Sequence, residues 1–225
     1  MKNITTPENP PPTVVIDPEG DLILQVGPGK YEYKVQSLAL KRASPVFKSK
    51  LFGGWAESQK PVSSLTPWVV RLENEQPTVI EFLVRLAHAD FIAMTGWADE
   101  QLALLAEIKE KGHDGASDKF DLDFAYDLFI TANYYDMGKL LTPWLHVWAA
   151  IAQEASPVPK LREKGQELLM ALSIAWELGD EKVFRDRMVQ LVMGASLDEE
   201  DRLVALDGTV IEDFDMIGPQ RFISK

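Results

Sequence analysis

The chain has 225 residues, of which 46% are apolar and 26% charged, and a formal net charge of −12. That length supports one large or two small domains with a real core, and the mix is that of a folded soluble protein, not a disordered one. The acidity weighs against nucleic acid and anionic membrane as direct partners, and the absence of cysteine excludes disulfides, thiolate metal sites and cysteine nucleophiles.

Residues 1–13 hold four prolines, Pro7, Pro10, Pro11 and Pro12, and few apolar side chains. Proline lacks an amide donor and favours extended, solvated backbone, so a flexible leader is expected. The start of the chain has no apolar run of the signal-peptide kind. No stretch approaches the ~20 apolar residues needed to cross a bilayer. A nuclear or cytoplasmic, non-secreted protein is expected.

Val14-Val15-Ile16 is a short β-type run. Leu22, Leu24 and Val26 alternate along a second, with Ile23 suggesting cover on both faces. Gly27-Pro28-Gly29-Lys30 supplies a turn. Tyr31, Tyr33 and Val35 then alternate with Glu32 and Lys34 as the returning strand of a hairpin. From Ser37 the period becomes helical. Ser44-Pro45 restarts a second helix, with serine as N-cap and proline at the first helical position. Its buried face is expected to be Val46, Phe47, Leu51 and Phe52, and Gly53-Gly54 ends it.

Residues 55–66 read as loop and Trp68 to Leu72 as a strand. Gln76-Pro77 opens a helix with Val79, Phe82, Leu83 and Leu86 on one stripe. Between Asp90 and Lys119 the pattern supports a short, inserted helix through Leu102 to Ile108, then a mobile loop at Lys111 to Ser117. Asp121 starts a helix with Leu122, Ala125, Leu128, Phe129 and Ala132 inward. Asp136 is expected to cap the next one, which Pro143 should kink or restart. Pro157-Val158-Pro159 marks the expected domain boundary. Two helical segments follow, near 160–178 and 180–193. The tail from Ser196 to Asp215 has eight acids and one base, Arg202, with apolar residues interspersed. Such a tail could dock on the protein's own surface or on a basic partner.

By Gly54 the chain resembles the opening of a BTB/POZ domain, a protein-interaction fold. The resemblance is carried by Asp21 before the strand, Tyr33 in the return strand, and Leu38 to Leu40 in the first helix. Ser44-Pro45-Val46-Phe47 in the second helix, the later Pro77-to-Ala87 helix and Ala132-Asn133-Tyr134-Tyr135-Asp136 add to it. It covers about residues 14–152, and the Trp144/Trp148 pair with the extra helices is most similar to the BTB proteins of filamentous fungi. The resemblance implies an α+β fold with a short three-stranded sheet and about five clustered helices. The leader occupies 1–13, the BTB/POZ domain 14–155 with an insertion at about 93–119, and an all-helical extension with an acidic tail 156–225.

It also implies a non-enzymatic protein-interaction module, with no cofactor, whose partner is a cullin-type ubiquitin ligase or a second copy of the chain. A transcription-associated or self-associating scaffold is the alternative. Many relatives carry a His-Lys pair where this chain has Gln36 and Ser37, so a corepressor groove of their kind is not expected. Ligase-type relatives carry a hydrophobic-x-acidic motif before the fourth helix. Here Phe124-Ala125-Tyr126 has no acid at that place, and Trp97-Ala98-Asp99 fits the pattern upstream. Trp97, Asp99, Phe124, Tyr126, Trp144 and Trp148 are the candidate partner contacts. Tryptophan is enriched in binding hot spots, although an i, i+4 pair also packs helices together.

No constellation supports catalysis. His88, His113 and His146 lack ligand spacing; His146, between apolar helix positions, is expected to be packed. Gly29-Lys30 lacks the rest of a phosphate loop. Ser44 reads as a cap and not a nucleophile. Asp17 and Asp21 flank a turn and show nothing that would split their pKa values. Lys34, Lys41, Arg42, Lys48 and Lys50 read as a solvated face, not a nucleic-acid patch. A small-molecule-binding or enzymatic helical domain is the distant alternative, requiring a concave pocket with convergent polar groups.

Overall fold

The computed structural model describes residues 12–55, 58–61, 66–111, 122–154, 165–211 and 213–214. The chain is mixed α+β, with eight α-helices and a small sheet among those residues. It forms two compact units, one from Met1–Thr95 with Thr131–Leu141, the other from Gly96–Ile130 with Thr142–Lys225. The expected leader falls almost wholly outside the described residues, and the expected boundary near 155 falls entirely outside them.

In the first unit, strands β1 (Val14–Val15), β2 (Leu22–Val26), β3 (Tyr31–Val35) and β4 (Val69–Leu72) form one sheet in the order β1-β3-β2-β4. The sheet has four strands, not three: the two-residue β1 joins parallel to β3. β2 and β3 make the expected hairpin, with Leu22 opposite Val35 and Val26 opposite Tyr31. β4 lies parallel to β2, reached through the two helices α1 (Ser37–Ala43) and α2 (Pro45–Phe52). Leu22, Leu24, Val26, Tyr33, Val35, Val70 and Leu72 are buried on one sheet face, each worth ~1.5–3 kcal/mol of transfer free energy. Gly27 turns the hairpin at a φ of 68° with its α-carbon close to Pro77, where a side chain would crowd.

The α1–α2 break is where the sequence places it. Ser44 ends α1 with its N–H on the Leu40 carbonyl, and its hydroxyl accepts the Phe47 N–H at 2.9 Å. Phe47 and Leu51 are buried, but Phe52 is turned outward and covered by Lys41 Nζ at 4.7 Å. Helix α3 (Pro77–Ala87) buries Val79, Ile80, Leu83, Val84 and Leu86.

Helix α4 (Ile92–Lys111) is 20 residues long, longer than its weak apolar periodicity suggested. The loop expected after it, 112–117, lies outside the described residues. Helix α5 (Leu122–Tyr134) follows. Asp136 does not cap the next helix. It takes a φ of 51°, and the Met137 and Asp136 amides bond back to the Ala132 and Asn133 carbonyls. This is the left-handed stop of α5. A 3-10 stretch, Gly138–Trp144, then contains Pro143, and helix α6 (Leu145–Glu154) starts just after it.

In the second unit, α7 (Gly165–Leu178) and α8 (Glu181–Gly194) form an antiparallel pair. Gly179 ends α7 at a φ of 67°, and Asp180 caps α8 by accepting the Val183 N–H at 3.0 Å. The extension is not all helical: β5 (Ser196–Leu197) and β6 (Leu203–Val204) make a short antiparallel hairpin. Ala205 and Ile211 from this acidic tail join Leu168, Leu169 and Leu191 in one buried cluster. The tail thus docks on its own chain.

Candidate interaction site

The residues that carry the sequence resemblance tie neighbouring elements together in several separate contacts. Asp21, just ahead of β2, faces the first turn of α1. Its Oδ1 accepts the Ser37 N–H at 2.7 Å, and its Oδ2 accepts the Ser37 hydroxyl at 2.9 Å. Lys60 Nζ also reaches Oδ2, at 2.6 Å, and sits over the Trp68 ring at 4.6 Å. Partial burial pushes the Asp21 carboxyl up, but Lys60 and the two Ser37 donors outweigh it and hold the pKa below its ordinary value. Lys60 thus supplies a cation for Asp21, from a loop whose sequence gives no hint of it.

Gln36 meets His88. The Gln36 N–H donates to His88 Nε2 at 2.8 Å, and His88 Nδ1 lies 2.6 Å from the Val84 carbonyl. An acceptor at Nε2 and a carbonyl at Nδ1 fix the neutral tautomer with its proton on Nδ1. His88 is therefore a tie between α3 and the start of α1. His146 is exposed, not packed, and His113 lies outside the described residues.

Ser44, Pro45 and Phe47 meet the end of α5. The Ser44 hydroxyl donates to the Tyr135 carbonyl, and Phe47 and Tyr135 stack with centroids 4.7 Å apart and planes 10° apart. The Tyr135 hydroxyl donates to Glu75 Oε1 at 2.9 Å; burial first, then the Glu75 charge, raises its pKa strongly. Tyr33 donates to the Pro77 carbonyl at 3.0 Å, and its pKa is pushed up to about 12, mainly by burial and then by Glu81. These hydroxyls are structural donors.

Beside this junction lies an open cleft of about 660 Å³. Its lining includes Val69, Arg71, Glu73 and Glu75 from β4 and the turn after it, with Tyr134 and Tyr135. Tyr134 is 67% exposed and Val69 40%, so an apolar surface is offered beside charged groups.

The candidate partner contacts divide. Trp148 is fully buried, Tyr126 and Trp144 nearly so, and none of the three offers a surface to a partner. Trp148 packs on Trp97 (4.6 Å) and edge-on to Phe129 (5.2 Å), aromatic neighbours from α4 and α5, while its own helix α6 packs against α7. Trp97 also meets Phe124 at 5.8 Å, and both are half-buried. Tyr126 lies against Phe214 at 5.2 Å. Asp99 alone of the six is exposed. The Glu75, His88 and Lys60 ties, and the β4 cleft, had no local sequence signal, because each joins residues far apart in the chain.

Among the described residues no cluster of three or more His, Asp or Glu side chains could hold a metal ion, and no helix is long and apolar enough to cross a membrane. Compared with known proteins, the chain matches no family model and no curated protein at a significant level.

Proposed function

We propose that this chain is a non-enzymatic protein-interaction module built on a BTB/POZ-type fold. The observation that carries the reading is the meeting of the Ser44-Pro45-Val46-Phe47 and Tyr134-Tyr135-Asp136 segments, the two halves of the resemblance, in one stacked and hydrogen-bonded junction. The order hairpin, two helices, parallel strand, helix supports it. So does the use of each polar group in the Asp21, Ser44 and Tyr135 cluster for tying elements together. A stable complex would bury ~1,200–2,000 Å² in total. Affinity capture with cross-linking from native cells should retain a specific protein partner. Repeated capture of none, at physiological salt, would remove the reading.

Within that class we assign the chain to the substrate adaptors of cullin-type ligases. The reading rests on the resemblance and on exposed Asp99 as the acidic member of the Trp97-Ala98-Asp99 pattern, while the Trp97 ring is turned to Trp148 and Phe124. Calorimetry with a cullin amino-terminal domain should give heat of binding at tens of micromolar. A flat titration leaves the scaffold alternative, which light scattering separates into monomeric and self-associating forms.

A further inference from the structure

β4 is an outer strand, and no described strand pairs with its far edge. The Ile23 N–H bonds to the Trp68 carbonyl at 2.8 Å and the Gly27 N–H to the Leu72 carbonyl at 2.9 Å. Backbone groups of successive strand residues point to opposite edges. With Ile23 opposite Val69 and Val26 opposite Leu72, Val70 and Leu72 turn their amides and carbonyls to β2. Val69 and Arg71 turn theirs outward, where they meet no partner among the described residues. Such an edge is a template for an added strand.

The side chains above that edge have a pattern. Val69 and Arg71 project to one face, both exposed, and exposed Glu73 follows in the turn that ends the strand. Arg71 and Glu73 have no ion-pair partner among the described residues. Val69 and Arg71 of this strand line the 660 Å³ cleft, as Tyr134 does.

We propose that the β4 edge accepts an extended peptide of a partner protein as a fifth strand, with apolar, acidic and basic side chains at alternate positions facing Val69, Arg71 and Glu73. This rests on the interaction-module reading and gives it a surface. Directly opposed residues on paired strands stabilise when oppositely charged and destabilise when alike, which sets the order of the three side chains. The concave setting selects a slender single strand. A second copy would bring its own β4 set in an equal cleft, and two molecules of charge −12 repel.

The test uses the full chain, ¹⁵N-labelled, and two blocked synthetic peptides, Thr-Val-Thr-Glu-Thr-Lys-Thr and its reverse, titrated to ~1 mM. One of them should shift the Val69 and Arg71 amides and slow their hydrogen exchange. Arg71→Glu, an exposed change whose fold the same spectrum checks, should weaken that peptide about three- to tenfold, and exchanging its Glu for Lys should restore binding. The proposal is overturned if neither peptide perturbs those amides, if the shifts fall on another face, or if Arg71→Glu binds as the parent does. Should that happen while cross-linking still captures a specific partner elsewhere on the chain, the peptide site is lost and the module reading stands. If capture also fails, the reading itself goes.

Discussion

Ser44 and Tyr135, 91 positions apart, are joined by a hydrogen bond from the serine hydroxyl to the tyrosine carbonyl. The same hydroxyl oxygen accepts the Phe47 N–H and so caps α2. Local helix initiation and long-range closure of the first unit thus run through one buried oxygen.

Ser44→Ala should cost ~2–3 kcal/mol, from the lost cap and from a buried carbonyl left without a donor. Urea unfolding measures it. Ser44→Gly separates the two parts, because glycine is nearly as good a cap but cannot reach Tyr135. If glycine restores most of the loss, the tie to Tyr135 is unimportant.

Asp21 makes stability acid-sensitive. Its folded pKa lies below the ordinary 3.8, so its contribution is fully present above about pH 4 and is lost as pH falls through the folded value. Asp21→Asn should remove that dependence and cost under ~1 kcal/mol at neutral pH, since the carboxylate is partly solvated. Parallel stability curves of the two proteins between pH 2 and pH 5, within about those limits, would contradict this.

His88 should show the Nδ1–H tautomer in nitrogen-15 spectra of the imidazole at neutral pH, because Nε2 is occupied as an acceptor by Gln36. His88→Leu should destabilise by ~1–2 kcal/mol through the stranded Gln36 amide. A spectrum of the Nε2–H form would mean the tie is absent in solution.

The docked acidic tail depends on Gly165 and Asp207. The Asp207 carboxylate accepts the Gly165 and Thr209 amides at 2.6 and 3.0 Å. A Cβ at 165 would come within 2.4 Å of the Ala205 side chain. Gly165→Ala and Asp207→Ala should both release the tail, read as faster hydrogen exchange over 196–211, with ~0.5–2 kcal/mol lost for Asp207→Ala. Those amides also hold the Asp207 pKa below its ordinary value against the opposing effect of partial burial. The latch should therefore be complete above about pH 4 and weaken below it.

Trp148 tests core against contact. Trp148→Ala should cost ~3–5 kcal/mol, whereas Trp55→Ala, at a residue 63% exposed, should stay within ~0.5 kcal/mol. The Trp148 indole N–H has no partner among the described residues, so Trp148→Phe gives up volume but also an unpaired donor. Its cost should be near ~1 kcal/mol, and a loss as large as that of alanine would mean the indole is bonded in solution.

The hairpin and the α1–α2 break were legible because Gly27, Pro28, Ser44 and Pro45 act on their own backbones. Strand alternation at Leu22, Leu24 and Val26 was equally local. α4 was read too short because its buried Ala98 and Leu105 sit among exposed Leu102 and Ala103, which blurs the stripe. Asp136 was read as a cap because aspartate serves at both helix ends, and only its left-handed backbone reveals which. Phe52, counted as core, is instead covered by Lys41. The ties from Lys60, Glu75, His88 and Asp207 depend on partners tens of residues away.

The first unit is discontinuous: its chain leaves at Thr95 and returns at Thr131. During synthesis, the Phe47 ring and the Ser44 hydroxyl emerge long before Tyr135 exists to meet them. Helix α2 must wait with its Phe47 ring unstacked until Tyr135 clears the ribosome. An expression fragment cut after Thr95 would keep every strand of the first unit's sheet but lose the Tyr135 partner of Phe47 and Ser44, whereas one that reaches past Leu141 keeps it.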